Sequence, residues 1–229
     1  MEYLIALDFL IVSVVMKRLF LTAVLFLASV SVFAFSDFSD STLSVGIAFP
    51  YMKHDYKISG QDSVTLFGTG IDLNYRHQNE GYTYGLFLDS NIFFPAYRTV
   101  NVSESESVTK NFSDYDYFFG VDALAGVYKV IFSSDGCVVP AGIGFHLDGY
   151  TSKISESGYS SKESVYTLGL GAWANYEVNV SDKFGVFAGI KVIYDFYCRM
   201  SATGNYGGSS SGNCNALTVV PSAGVAFHL

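Results

Sequence analysis

A chain of 229 residues suits one good-sized domain, and its composition is lopsided: 50% hydrophobic, 17% aromatic and only 15% charged. A water-soluble globule usually carries about 25% charged residues, so there is too little charge here to wet a surface or the outer faces of helices. The formal net charge is −8 and no basic run follows the first segment, which argues against a nucleic-acid partner, whose phosphate backbone needs clustered Lys and Arg.

The first segment reads as an export signal. Met16-Lys17-Arg18 precedes an apolar run from Leu19 to Val32, and Val32 and Ala34 occupy the small-residue positions of a cleavage site after Ala34. The expected organisation is a signal peptide over 1–34, a periplasmic lead-in over 35–41 and one membrane domain over 42–229. Met16 is the expected true start. The alternative is an extended leader or an uncleaved helix, whose apolar run Asp8 and Lys17-Arg18 would interrupt.

Beyond Ala34 no run of about 18 apolar residues occurs, so no helix after that point is long and apolar enough to cross a bilayer. Alternation with a period of two recurs instead. It predicts eight strands: Thr42–Tyr51, Val64–His77, Tyr82–Phe94, Tyr115–Phe132, Cys137–Tyr150, Ser164–Val178, Phe184–Cys198 and Ala216–Leu229. Each exceeds the usual five or six residues and meets the roughly nine to eleven of a tilted membrane strand. In the third, Tyr82, Tyr84, Leu86, Leu88 and Ile92 share one face, against Thr83, Gly85, Phe87, Asp89 and Asn91. In the last, Leu217, Val219, Pro221, Ala223, Val225, Phe227 and Leu229 oppose Thr218, Val220, Ser222, Gly224, Ala226 and His228. One face is apolar throughout; the other mixes glycine, hydroxyls, amides and sparse charge. Apolar groups facing lipid and small or polar ones inside suit an eight-stranded barrel.

The connections sort with the strands. Those at 78–81, 133–136 and 179–183 are short, whereas 52–63, 95–114, 151–163 and 199–215 are long and polar. Strict alternation of short and long is the pattern of periplasmic turns and extracellular loops. Aromatics gather near strand ends as an interfacial girdle, including Phe49, Tyr51, Tyr82, Tyr84, Phe93, Phe94, Tyr150, Tyr176, Tyr194 and Phe196. The fold class is therefore all-β: an eight-stranded, antiparallel, up-and-down transmembrane barrel. A cysteine label at Ser105 should react on intact cells, and one at Glu80 should not.

This architecture resembles the small bacterial outer-membrane barrels of the OmpA membrane-domain, OmpX and OmpW type. The last strand, Ala223 to Leu229, is similar to the C-terminal assembly signal of that family, with Leu229 in place of the usual final aromatic. The resemblance implies residence in the outer membrane, insertion by the barrel assembly machinery, and a monomer in lipid. The Ser- and Tyr-rich loops are similar to those of spirochaetal outer-membrane proteins.

Motifs of hydrolases, metalloproteases, nucleotide-binding loops and redox pairs are missing, so no catalytic residue, metal ligand or cofactor is expected. His54, His77, His146 and His228 are scattered. Parity turns Asp72, Arg76, Asp89, Asp122, His146, Asp148, Glu177, Lys191 and Asp195 inward, which predicts a polar network in the lumen centred on Arg76 and Lys191. A His–Asp pair among them is the one arrangement with catalytic precedent in barrels. Cys198 and Cys214 flank a Gly- and Ser-rich loop, and both a disulfide and two free thiols fit the sequence. Three functions remain open: a structural or adhesin-like protein that binds host factors through its loops, a narrow channel for ions or small hydrophobic molecules, and a soluble lipocalin-like carrier.

Overall fold

Alternating side chains serve two environments at once only on an extended backbone, and lipid then obliges every N–H and C=O to pair with a neighbouring strand. The computed structural model describes residues 41–58, 61–79, 81–103, 106–134, 136–156, 159–204 and 209–229, which form an antiparallel sheet closed on itself. Its strands are β1 (Ser41–Ala48), β2 (Tyr51–Ile58), β3 (Gln61–His77), β4 (Gly85–Ser103), β5 (Glu106–Asn111), β6 (Tyr117–Ser134), β7 (Cys137–Glu156), β8 (Tyr159–Asn179), β9 (Phe184–Gly204) and β10 (Ser209–His228). The expected signal peptide, the lead-in as far as Asp40, and the label positions Ser105 and Glu80 lie outside the described residues.

Eight staves make the ring. β1 and β2 are one stave interrupted at Phe49-Pro50. β1 pairs with β10 and β3 (Leu43 opposite Phe227 and Tyr75), and β2 continues both registers (Tyr51 opposite Val219 and Phe67). Proline has no N–H to give the ladder. The gap is stitched by Phe49 N–H to Pro221 O at 2.9 Å and Gly68 N–H to Pro50 O at 3.0 Å. The other staves β3, β4, β6, β7, β8, β9 and β10 follow in chain order, each antiparallel to the next. Both chain ends of the barrel meet on one rim, where Leu229 donates to Ser41 O at 2.9 Å. The short turns share that rim, two of them through glycines at positive φ, Gly81 (+80°) and Gly136 (+92°).

The opposite rim corrects the expected loops. Most of 52–63, 95–114, 151–163 and 199–215 is strand: Ile58 pairs with Gln61, Ser103 with Glu106, Glu156 with Tyr159, and Ser209 with Thr203. Ladder pairing does not require an apolar face, so the strands run on past the apolar wall and stand as a polar crown at that end of the barrel. The expected start of the third strand moves from Tyr82 to Gly85, and Tyr82 and Tyr84 lie in the turn. Two expected girdle aromatics also move. Phe93 shares the phase of Asp89 and Asn91, and Tyr150 that of His146 and Asp148, so both are buried inside. Exposed Ile47, Ile71, Leu86, Ile143, Phe145 and Leu170 make up the outer wall, with Tyr51, Tyr84, Tyr176 and Phe196 toward its edges.

Inside, bulk is laid against bareness. The Phe87 ring covers Gly142, where an added Cβ would sit 2.7 Å from that ring, and stacks on Trp173 at 5.1 Å between centroids. Leu124 and Tyr128 complete this aromatic shelf. Toward the crown, Met52, Leu66, Phe93, Phe118, Tyr150 and Val165 form a second apolar cluster.

Candidate functional site

Two rows of side chains encircle the bore between those apolar layers. Cross-strand register aligns Asp72, Asn91, Asp122, Asp148 and Thr167 as successive neighbours on β3, β4, β6, β7 and β8. One step toward the turns, Asn74, Asp89, Leu124, His146, Gly169 and Asp195 form the next row. All nine polar residues singled out from the sequence are buried, the most exposed being Asp148 at 6%.

They fall into two groups. At the centre, Lys191 Nζ donates to Asp89 Oδ1 and Asp122 Oδ1, both at 2.5 Å. Asn74 Nδ2 donates to the other oxygen of Asp89 at 3.0 Å. His146 Nδ1 lies 2.8 Å from Asp195 Oδ1, and its Nε2 lies 4.0 Å from Asp122. Near the turn rim, Arg76 Nη2 donates to Glu177 Oε2 at 2.6 Å, and His228 Nε2 stands 3.4 Å from Oε1. The aromatic shelf separates the groups: Phe87 precedes Asp89 along β4, and Trp173 precedes Glu177 along β8. Neither oxygen of Asp148 has a side-chain hydrogen-bond partner among the described residues. A buried acid without such a partner is a cost to the fold.

Cys198 and Cys214 oppose each other on β9 and β10 with Cα atoms 4.9 Å apart, and their sulfurs are bonded. The bridge lies within the upper apolar cluster. Cys137 is a free thiol at the start of β7. The described residues hold no group of three or more His, Cys, Asp or Glu side chains arranged for a metal ion.

No protein-family model and no curated protein sequence matches the chain. Among solved structures it is similar to the outer membrane protein OprG of Pseudomonas aeruginosa, at TM-score 0.57 and 12% identity over 82% of this chain and 95% of that one. It is similar to the outer membrane protein AlkL at TM-score 0.52, again 12% identical, over 82% of this chain and 89% of that one. A major outer membrane protein of Thermus thermophilus follows at TM-score 0.50 and 12% identity, covering 79% and 98%. The chain has the fold of a small outer-membrane β-barrel.

Further polar residues belong to the bore and the crown. Asn74 and Asn91 lie in phase with the acids but carry no charge to draw notice. Three more belong to the crown and were hidden by its being read as loop. Arg98 Nη2 donates to both oxygens of Glu163, at 2.9 and 2.7 Å, and Tyr150 Oη donates to Glu163 Oε1 at 3.3 Å. His54 stacks on Tyr150, 5.6 Å between centroids. Continuing the parity of β1 through Met52 to His54 would have found it.

His54 belongs to the crown, between the exposed, ion-paired Lys53 and Asp55. Burial, then the Arg98 charge, pushes its pKa down to about 4. Unfolded histidine near 6.5 takes a proton that the folded crown refuses, so stability is constant above neutrality and falls as pH drops from about 6.5 toward 4. At pH 5 this costs about 2 kcal/mol. Urea midpoints at pH 7 and pH 5 should therefore diverge more in the native barrel than in His54→Phe. Equal divergence refutes the assignment.

Proposed function

We propose that this barrel is a surface-binding protein whose crown captures extended polypeptide from outside the cell. The observation that carries this reading is the edge of β5. Above the membrane β5 pairs with β4 (Val100 opposite Val108), and among the described residues it has no second neighbour. Ser107, Val108, Thr109 and Asn111 are exposed, with Val108 at 52%. Toward β7, β5 makes only a side-chain contact among the described residues, Lys110 Nζ to Glu156 Oε1 at 2.6 Å, and the backbone ladder to β7 begins beyond it, at Asp116 N–H to Lys153 O (2.8 Å). An open edge offers backbone donors and acceptors to an incoming strand.

The filled bore favours this reading over a channel. Phe93, Phe118 and Met52 are at most 1% exposed above the acids, and Trp173 and Phe87 close the layer below. His146 and Asp195 are fully buried, so no substrate reaches the pair and it serves as part of the fold, without catalysis. The apolar outer wall does not suit a soluble carrier. The export signal over 1–34 and delivery by the assembly machinery belong to the same proposal.

Selection of a random dodecapeptide display library on the barrel in nanodiscs tests it. The recovered peptides should alternate apolar and polar residues, and should bind at least about tenfold more weakly to Val108→Lys, because charge on an edge suppresses strand addition. Peptides indifferent to that substitution, or discrete single-channel currents from the native barrel, would overturn the reading.

A further inference from the structure

A depression of about 440 Å³ crosses the lipid-facing side of β6, β7, β8 and β9. Register explains its course. Lys129 pairs with Ala141, Ala141 with Ala174, and Ala174 with Ile190, so two alanines form a low floor between higher ends. Val127, Ile143, Ala172 and Val192 form the parallel row beside it. Because the strands of a closed barrel tilt by roughly 35–45°, a row perpendicular to them slants through the bilayer. Here it runs from the turn rim, beside Tyr84, toward mid-membrane at Ile190.

A hollow in a wall of lipid is never left empty, since unfilled space forfeits dispersion contacts on every side. What fills it is decided by its lower end. Lys129 Nζ lies over the Tyr84 ring, 5.9 Å from the centroid, and forms no ion pair among the described residues. It is thus a cation held at headgroup level at the mouth of an apolar trough. A twofold contact with a second copy would set the same surface against itself and bring two Lys129 side chains together.

We infer that the trough seats one anionic phospholipid of the inner leaflet, its phosphate on Lys129 and one acyl chain along Ala141 and Ala174 toward Ile190. Chain packing supplies fit, and because the surrounding lipid is equally apolar, the lysine contact supplies the preference for this molecule. A volume within the roughly 300–1,000 Å³ of small-molecule sites accommodates a single chain.

The native barrel reconstituted in mixed phosphatidylglycerol and phosphatidylcholine nanodiscs, released and weighed by native mass spectrometry, tests the site. One phosphatidylglycerol should remain on the monomer. Ala174→Leu and Ala172→Leu should each abolish that retained lipid, and Lys129→Gln should lower its occupancy about fivefold, the loss of one lysine at a membrane surface. Ala223→Leu, on the lipid face of β10, should behave as native. Equal retention in native and Ala174→Leu barrels, equal loss in Ala223→Leu, occupancy unmoved by Lys129→Gln, or a lipid-free dimer would each overturn the proposal.

Discussion

Lys191→Met should destabilise the barrel by about 3–5 kcal/mol, because removing one partner of a buried ion pair strands the others. Two carboxylates are stranded here, Asp89 and Asp122, each 2.5 Å from the ammonium. Both are at most 1% exposed and cannot turn to water. Trp173 is the chain's sole tryptophan and lies directly opposite Lys191 in the β8–β9 register, so its fluorescence reports the local loss during urea unfolding. Adding Asp89→Asn and Asp122→Asn to Lys191→Met should restore most of the stability, since an uncharged replacement of the whole cluster leaves no orphan. If the triple variant is as unstable as the single one, the lysine acts through packing alone.

Phe118→Ala should cost a similar amount, about 3–5 kcal/mol, for a different reason. The ring is 1% exposed and packs against Tyr115 at 4.9 Å and Tyr150 at 5.6 Å between centroids. Its removal leaves a cavity that paired strands cannot close by drawing together. Phe118→Leu keeps most of the volume and should lose much less. Urea midpoints of the two variants decide the matter. Equal, small losses would mean that the ring does not fill the bore.

The two expectations separate what parity reveals from what it hides. Alternation alone sends Asp89, Asp122 and Lys191 to one side of the wall, because a pleated strand has only two faces. It is silent on who meets whom. Arg76 on β3 finds Glu177 on β8, and Lys191 on β9 finds Asp89 on β4, contacts across the bore set by the stagger between strands. No local pattern encodes that stagger. The crown was missed for a related reason. In lipid one face must be apolar and announces the strand. Above lipid both faces of β5 and of the upper β7 carry Ser, Thr, Lys and Glu, which read equally well as loop. The free β5 edge and the Arg98–Glu163 pair lie wholly in that silent region.

The joint between β1 and β10 also governs how the molecule comes to exist. Thr42 must find His228, at nearly the other end of the chain, before the sheet can close. Such distant pairing is slow, since loop entropy is spent long before any contact repays it. Until that moment the first and last strands both present bare edges to every other nascent chain. The hazard of aggregation is therefore concentrated in a single late event, and a side chain added at Gly224 or Gly46, which would collide with Val45 O or Ala223 O across the joint, would impair both closure and the finished barrel.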